Sequence, residues 1–278
     1  MRLTGIHYII LSTLSFSVVN LLVKLLPHIP VNELVFFRSI ISLAICAFLV
    51  KKLRIPFWGN NKQWLLIRGL FGAAGLTLFF YTIKNMPIAS ATTLQYLSPV
   101  FTVVIAMFLL KERVEPFRWL FFLLAFLGVI LIKGIDEKIE TSTVIIGVLS
   151  AALSGVAYNA IIKCRNTDHP LTIVMYFPLI ATPIMGVWCL FQWVMPIGTD
   201  WVLLLVIGIF TQIAQVFMTK ALHSDKSSRI VPFKYLGSIY ALLYGYFIFF
   251  EELSILNLIG IAVILVSVVS NAMIKYKI

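Results

Sequence analysis

Long apolar runs separated by short polar links fill this chain from end to end. Ten runs stand out: Leu3 to Leu26, Val31 to Val50, Trp64 to Ile83, Ala89 to Leu110, Phe117 to Ile132, Val144 to Ile162, Leu171 to Met195, Trp201 to Ala221, Ile230 to Phe250 and Leu253 to Ile274. Most approach the roughly 20 residues that an α-helix needs to cross about 30 Å of hydrocarbon. None shows the every-other-residue alternation of a barrel strand. The pattern predicts an all-α membrane protein of ten transmembrane helices, spans 1 to 10, of which the fifth is the shortest. The links are too short to hold a soluble domain, so function must belong to the bundle.

The runs repeat. "QYLSPVFTVVIAMFLLKE" (Gln95 to Glu112) and "KYLGSIYALLYGYFIFFE" (Lys234 to Glu251) are equal in length, begin polar-Tyr-Leu and end in glutamate. They start 139 residues apart, half of the 278-residue chain. The same ungapped offset pairs Leu14 with Leu153, Ser15 with Ser154, Asn20 with Asn159, Lys24 with Lys163, Gly69 with Gly208, Tyr96 with Tyr235 and Glu112 with Glu251. Five spans per half is an odd number, so the second half enters the membrane from the opposite side. Two inverted five-helix repeats are expected, residues 1–139 and 140–278. Repeats of that kind let a site near the midplane open alternately to either side.

"FFYTIKNMPIASATTLQYLSPVFTVVIAMFLLKERV" (Phe79 to Val114), "FFEELSILNLIGIAVILVSVV" in the second half and "ELVFFRS" (Glu33 to Ser39) resemble the EamA-type transporters of the drug/metabolite transporter superfamily. The resemblance covers nearly the whole chain. It implies a ten-helix inverted-repeat permease with a central cavity lined by spans 1, 3, 4, 6, 8 and 9. One departure bears on shape: Pro99 of the first repeat is replaced by Ser238 in the second, so the two spans need not bend alike.

Composition agrees with a membrane setting: 61% of residues are hydrophobic and 12% charged, and the mean hydropathy is +1.02. The net charge of +11 is explained by topology, without a nucleic-acid partner. With a cytoplasmic N-terminus, 15 of the 22 basic residues fall on inner links and termini. Lys24, Lys84, Lys133 and Lys138 fall outside, and Arg38, Arg68 and Lys234 lie within spans. Both termini are therefore expected in the cytoplasm, the chain lying in a plasma membrane, with a bacterial inner membrane the setting its compact links suit. Cys46, Cys164 and Cys189 have no metal-ligand spacing and read as packing.

Polar groups inside hydrocarbon are costly unless they face the bundle interior, so each is a candidate. Asn20 and Asn159 lie at matching depth on spans 1 and 6, Tyr158 beside the latter; an asparagine there either reads a substrate or bonds to a neighbouring helix. On span 8, Gln212, Gln215 and Thr219 are spaced for one helical face, whereas span 3 offers Gly69, Gly72 and Gly75, which favour close packing. Gln95 and Lys234 are repeat partners that differ, with Tyr96 and Tyr235 following them. The Lys234 ammonium either attracts a carboxylate or phosphate or snorkels to the interface, and Arg68 has the same alternative. Arg38 lies about 10 Å along its helix from Val31 at 1.5 Å per residue. Its i,i+5 relation to Glu33 is poor for pairing, which points to a partner on another helix. Glu112 and Glu251 mark span ends and suit gate contacts. The substrate-contact set is thus Asn20, Gln95, Tyr96, Tyr158, Asn159, Gln212, Gln215, Lys234 and Tyr235, with Arg38, Arg68, Glu112 and Glu251 as structural or gating charges.

No HExxH, dinucleotide-binding or P-loop pattern occurs, and the four histidines are scattered, so an enzyme, a metal site and a cofactor are not expected. The reading is a secondary transporter working without ATP. Its cationic intramembrane charge favours an amino acid or another solute with an anionic group. An organic-cation or multidrug exporter is the alternative, and a passive channel is the rival of another class. The partner set is a small-molecule substrate and lipid, with proton or exchange substrate, and monomer or homodimer, left open.

Overall fold

A computed structural model describes residues 5–109, 116–133, 139–224 and 233–273. Eleven helices are named among the described residues, and no strand: α1 (Gly5–Leu25), α2 (Val31–Lys52), α3 (Lys62–Asn85), α4 (Ile88–Gln95), α5 (Ser98–Leu109), α6 (Pro116–Lys133), α7 (Thr141–Cys164), α8 (Pro170–Cys189), α9 (Asp200–Ser224), α10 (Leu236–Phe247) and α11 (Ile255–Met273). Seven stretches, with α4 and α5 taken together, are long and apolar enough to cross a membrane. Three more, within α6, α10 and α11, are apolar but shorter. The chain is an all-helical membrane protein.

Span 4 is broken, which its apolar run did not announce. At the break Tyr96 N–H donates to the Thr93 carbonyl and Leu97 N–H to that of Leu94, both at 3.0 Å. These bonds reach back three residues and tighten the turn. Pro99 then supplies no N–H to the turn that follows. Span 9 breaks at the matching place without a proline. Phe233 and Lys234 are helical, Tyr235 is a turn, and Ser238 N–H bonds to the Tyr235 carbonyl at 3.0 Å before α10 proceeds.

Span 7 also departs from its run. Its helix starts on Pro170, with His169 capping the Leu171 N–H, but stops at Cys189 although the apolar run continues to Met195. The last turn tightens, with Leu190 N–H bonding to the Val187 carbonyl at 3.2 Å and Phe191 N–H to that of Trp188 at 3.1 Å, and the following segment, up to Pro196 and Gly198 at φ 52°, lies across the start of α2. Asn32 donates to the Gln192 carbonyl at 3.1 Å, and Val194 N–H donates to Glu33 at 2.8 Å. Trp193 and Trp201 pack on Phe37. Leu190, Phe191 and Met195 nevertheless remain exposed, so the segment is fastened to α2 by its polar contacts and Trp193 while most of its apolar side chains face outwards.

Helices pair as α1 with α9, α3 with α7, α2 with α8 and α6 with α11; α2 also meets α9, and α3 meets α8. Small residues permit the tightest approaches. A Cβ on Gly75 would lie 2.9 Å from Ser154 Oγ and 3.2 Å from the Ser150 carbonyl, so only glycine fits between α3 and α7 there. The Ser150 hydroxyl donates across that seam to the Gly75 carbonyl at 2.7 Å, as Ser12 donates from α1 to the Ala214 carbonyl of α9 at 2.8 Å. Outward side chains are large and apolar, including Phe108, Leu123, Ile130 and Phe247, whereas Arg38, Arg68, Asn159 and Gln212 are buried. That distribution suits lipid outside and polar contacts inside.

Candidate functional site: a cavity lined by cations

A cavity of about 180 Å³ lies inside the bundle, walled by α1, α3, α4, α7, α9, the two span breaks and single residues of α2 and α8. The α1 stripe brings Thr13, Ser17 and Asn20 to it at helical spacing, and α3 brings Arg68, Gly72, Leu76, Phe79 and Phe80. Gln95, Tyr96 and Ser98 come from the first break, Lys234 and Gly237 from the second, Ser154 and Tyr158 from α7, and Gln215 from α9. The two residues from outside the expected six spans are Arg38 on α2 and Phe177 on α8.

Its charge is one-sided. Arg38 and Arg68 are 3% and 7% exposed, and both guanidinium carbons lie over the Phe177 ring, at 5.1 and 5.5 Å. Arg38 also stands 5.6 Å from the Phe80 ring centre and donates through Nε to Thr211 Oγ1 on α9 at 2.8 Å. Arg38 Nη1 and Arg68 Nε are buried without a hydrogen-bond partner among the described residues. From another side, Lys234 Nζ sits 5.2 Å from the centre of the Tyr158 ring. Among the described residues no aspartate or glutamate lines the cavity, and none of these three cations makes an ion pair. The open donors of the two buried guanidiniums can serve an anionic group, since an uncompensated buried charge is costly.

The polar wall is partly committed. Gln95 Nε2 donates to Ser154 Oγ at 2.9 Å, and its Oε1 lies 2.9 Å from Ser150 Oγ, sharing that hydroxyl's one proton with the Gly75 carbonyl, so the amide is held between α4 and α7. Tyr96 Oη donates to the Lys234 carbonyl at 2.8 Å, and its ring meets Tyr235 edge to face with centroids 5.0 Å apart.

The structure brings together Asn20, Gln95, Tyr96, Tyr158, Gln215 and Lys234 of the substrate-contact set, with Arg38 and Arg68 of the charged set. Three others lie elsewhere. Asn159 is fully buried and donates to the Thr102 and Gly155 carbonyls at 3.0 Å, the helix-bonding alternative for that residue. Gln212 turns towards α2, accepting from Ser42 Oγ at 2.6 Å and donating to Cys46 Sγ at 3.1 Å. Tyr235 packs behind Tyr96 with its hydroxyl buried and unbonded among the described residues. Arg68 is buried, and the Lys234 ammonium turns to the Tyr158 ring. Phe177 carried no signal in its spacing, whereas Ser154 was legible as the repeat partner of Ser15.

Glu251 lies at the Lys24 end of the bundle. Its carboxylate pairs with the Lys24 ammonium and accepts the Ile88 N–H at the start of α4, 3.0 Å from Oε2. Lys24 also donates to the Met86 carbonyl at 2.7 Å. One cluster thus ties α1, the α3–α4 link and the segment after α10. Glu112 lies outside the described residues. Cys46, Cys164 and Cys189 are free and buried, and the described residues contain no cluster of metal-ligating side chains.

Comparison with known proteins adds a second line. The sequence model of the EamA-like transporter family matches residues 3–134 and again residues 141–273. The chain is 29% identical over 274 residues to the pseudopaline exporter CntI of Pseudomonas aeruginosa, covering 96% of this chain and 95% of that one. It is 29% identical over 268 residues to human solute carrier family 35 member G1, covering 89% and 73%. With the S-adenosylmethionine uptake transporter of Rickettsia felis it shares 26% identity over 253 residues, covering 90% and 85%. A solved crystal structure superposes with a TM-score of 0.62 at 20% identity, over 94% of this chain and 95% of that one, a likeness of fold.

Proposed function

Because the chain belongs to the EamA-like transporter family, we propose that it is a secondary transporter that moves a small metabolite bearing a carboxylate or phosphate by alternating access of two inverted five-helix repeats. The observation that carries this reading is the cation set of the cavity. Arg38, Arg68 and Lys234 converge on one space with no acidic residue on its wall among the described residues. The anionic group of the substrate is the counter-ion they lack. Arg38 and Arg68 hold it beside the Phe177 ring, Lys234 approaches from the other repeat, and Asn20, Tyr158 and Gln215 meet the rest of the solute.

Three features support inverted repeats. The family model matches each half once. Under exchange of spans five apart, the α1 to α9 pairing becomes α7 to α3, the α2 to α9 pairing becomes α8 to α3, and the α2 to α8 and α6 to α11 pairings map onto themselves. The acceptor carbonyls of the two serine bridges, Gly75 and Ala214, are one 139-residue offset apart. The charge count supports cytoplasmic termini and an inner-membrane setting. One relative is named an exporter and another an uptake transporter, so direction does not transfer from them.

The test is a melting screen of the purified protein against amino acids, dicarboxylates, nucleotides and organic cations, since a ligand that binds the fold raises its apparent stability. Solutes with a carboxylate or phosphate are expected to stabilise it, with the shift lost in Arg68→Gln, and the best binder to show saturable, trans-stimulated flux in proteoliposomes. Stabilisation by organic cations alone would overturn the anion reading, and non-saturating flux would favour a channel.

A further inference from the structure

The two span breaks carry matching parts in unequal states. Tyr96 and Tyr235 occupy equivalent positions one 139-residue offset apart, directly after Gln95 and Lys234. In a regular helix the Lys234 carbonyl would accept from Ser238, but Ser238 N–H is taken by Tyr235. The freed Lys234 carbonyl accepts the Tyr96 hydroxyl at 2.8 Å. At the first break the Gln95 carbonyl would look to residue 99, which is proline and has no N–H to give. By the repeat relation its counterpart donor is the Tyr235 hydroxyl, which is buried and without a hydrogen-bond partner among the described residues. One half of a reciprocal pair is made and the other is open.

We infer that Tyr96 and Tyr235 alternate as positioning residues: Tyr96 holds the Lys234 carbonyl in this state, and Tyr235 holds the Gln95 carbonyl in the state open to the other side. This rests on the alternating-access reading, in which inverted repeats exchange conformations. A buried phenol left unbonded is costly, so each state carries one unpaid hydroxyl and the balance between them stays close. The switch also reaches the cavity, because the residue that Tyr96 holds by its carbonyl presents its ammonium to the solute. The exchange is not symmetric. Tyr96 Oη sits where a Cβ on Gly237 would lie 2.1 Å away, and the equivalent position in the first repeat is Ser98. Ser98 hinders the reciprocal approach, which makes the state with Tyr96 bonded the resting one.

The experiment places spin labels on Asn85→Cys and Glu252→Cys, both exposed at the Lys24 end. The full chain, with its three native cysteines replaced, is reconstituted in lipid for pulsed distance measurement. Two distances are expected. Hydrogen bonds of this kind are worth about a three- to fivefold change in population ratio. Tyr96→Phe should raise the longer-distance fraction by that factor, and Tyr235→Phe should raise the shorter. Ser98→Gly should act in the sense of Tyr96→Phe, and Pro99→Ala, which returns a helical donor to the Gln95 carbonyl, in the sense of Tyr235→Phe. These two keep the proposal testable should a tyrosine variant fail to fold. If two distances appear but the paired variants move them together or not at all, the exchange of tyrosines is wrong and alternating access stands. A single distance in the parent and every variant would sink both.

Discussion

Replacing Glu251 with glutamine tests how the Lys24 end is held. The carboxylate takes the Lys24 ammonium and the Ile88 N–H together, and the paired side chains are only 15% and 12% exposed. Glutamine keeps an acceptor for Ile88 but leaves the ammonium with the Met86 carbonyl and the Phe249 ring, 5.5 Å from its centre. Breaking a fully buried ion pair from one side costs roughly 3–5 kcal/mol, because the remaining charge is stranded. The residual exposure and the Met86 carbonyl reduce this to about 2 kcal/mol. At roughly 2–4 °C per kcal/mol for large domains, the melting temperature in detergent should fall by about 4–8 °C. Lys24→Met should cost a similar amount by stranding the carboxylate. The double variant removes both charges and should recover at least half of the summed loss, a coupling of about 2 kcal/mol or more. Strictly additive losses would show that the two charges do not stabilise the closed end as a pair.

Lys234→Met should weaken binding of an anionic solute by about 10- to 150-fold, the loss of one charge-assisted contact of roughly 1.5–3 kcal/mol. Lys220→Met, exposed and off the cavity, should leave binding unchanged; equal affinities in a titration of both variants would remove Lys234 from the site. Gln212→Leu strands the Ser42 hydroxyl and should lower the melting temperature while leaving ligand affinity within about twofold, the signature of a residue joining α9 to α2. A many-fold affinity loss would return it to the site. Gly75→Val forces α3 from α7 against Ser154 and the Ser150 carbonyl and should cost about 1–3 kcal/mol or more, read as reduced monodisperse yield and a lower melting temperature. Normal yield and melting would mean that this seam has slack.

Helix existence was readable because the hydrocarbon thickness sets a length that no short-range propensity obscures. Boundaries were less so: residues 190–195 continue the apolar run of the helix before them, and Pro196 and Gly198 mark the end of the segment but not the helix stop at Cys189. The 139-residue offset pairs Asn20 with Asn159, but a shared register does not fix rotation about the helix axis. Asn20 reaches the cavity, whereas Asn159 turns to the Thr102 carbonyl of α5. Gln212 and Gln215 separate for a related reason: residues three apart are about 60° from alignment, enough to send one to α2 and the other to the cavity wall. Arg38 needed a partner on another helix, and Thr211 supplies it. Phe177 shows the limit of a single sequence. An aromatic in an apolar run has no mark of the two guanidiniums above it until the fold assembles them.

The one-sided charge of the cavity has a kinetic consequence under the proposed mechanism. To change sides, the transporter must pass through a state in which water is excluded from both ends. With solute aboard, the guanidiniums and the ammonium are neutralised during that passage. Without it, like charges are brought together in a medium of low polarity with nothing between them, and their repulsion adds to the barrier. The empty protein should therefore return more slowly than the loaded one, and solute waiting on the far side should accelerate the cycle. A carrier built this way trades one anion for another faster than it moves either alone.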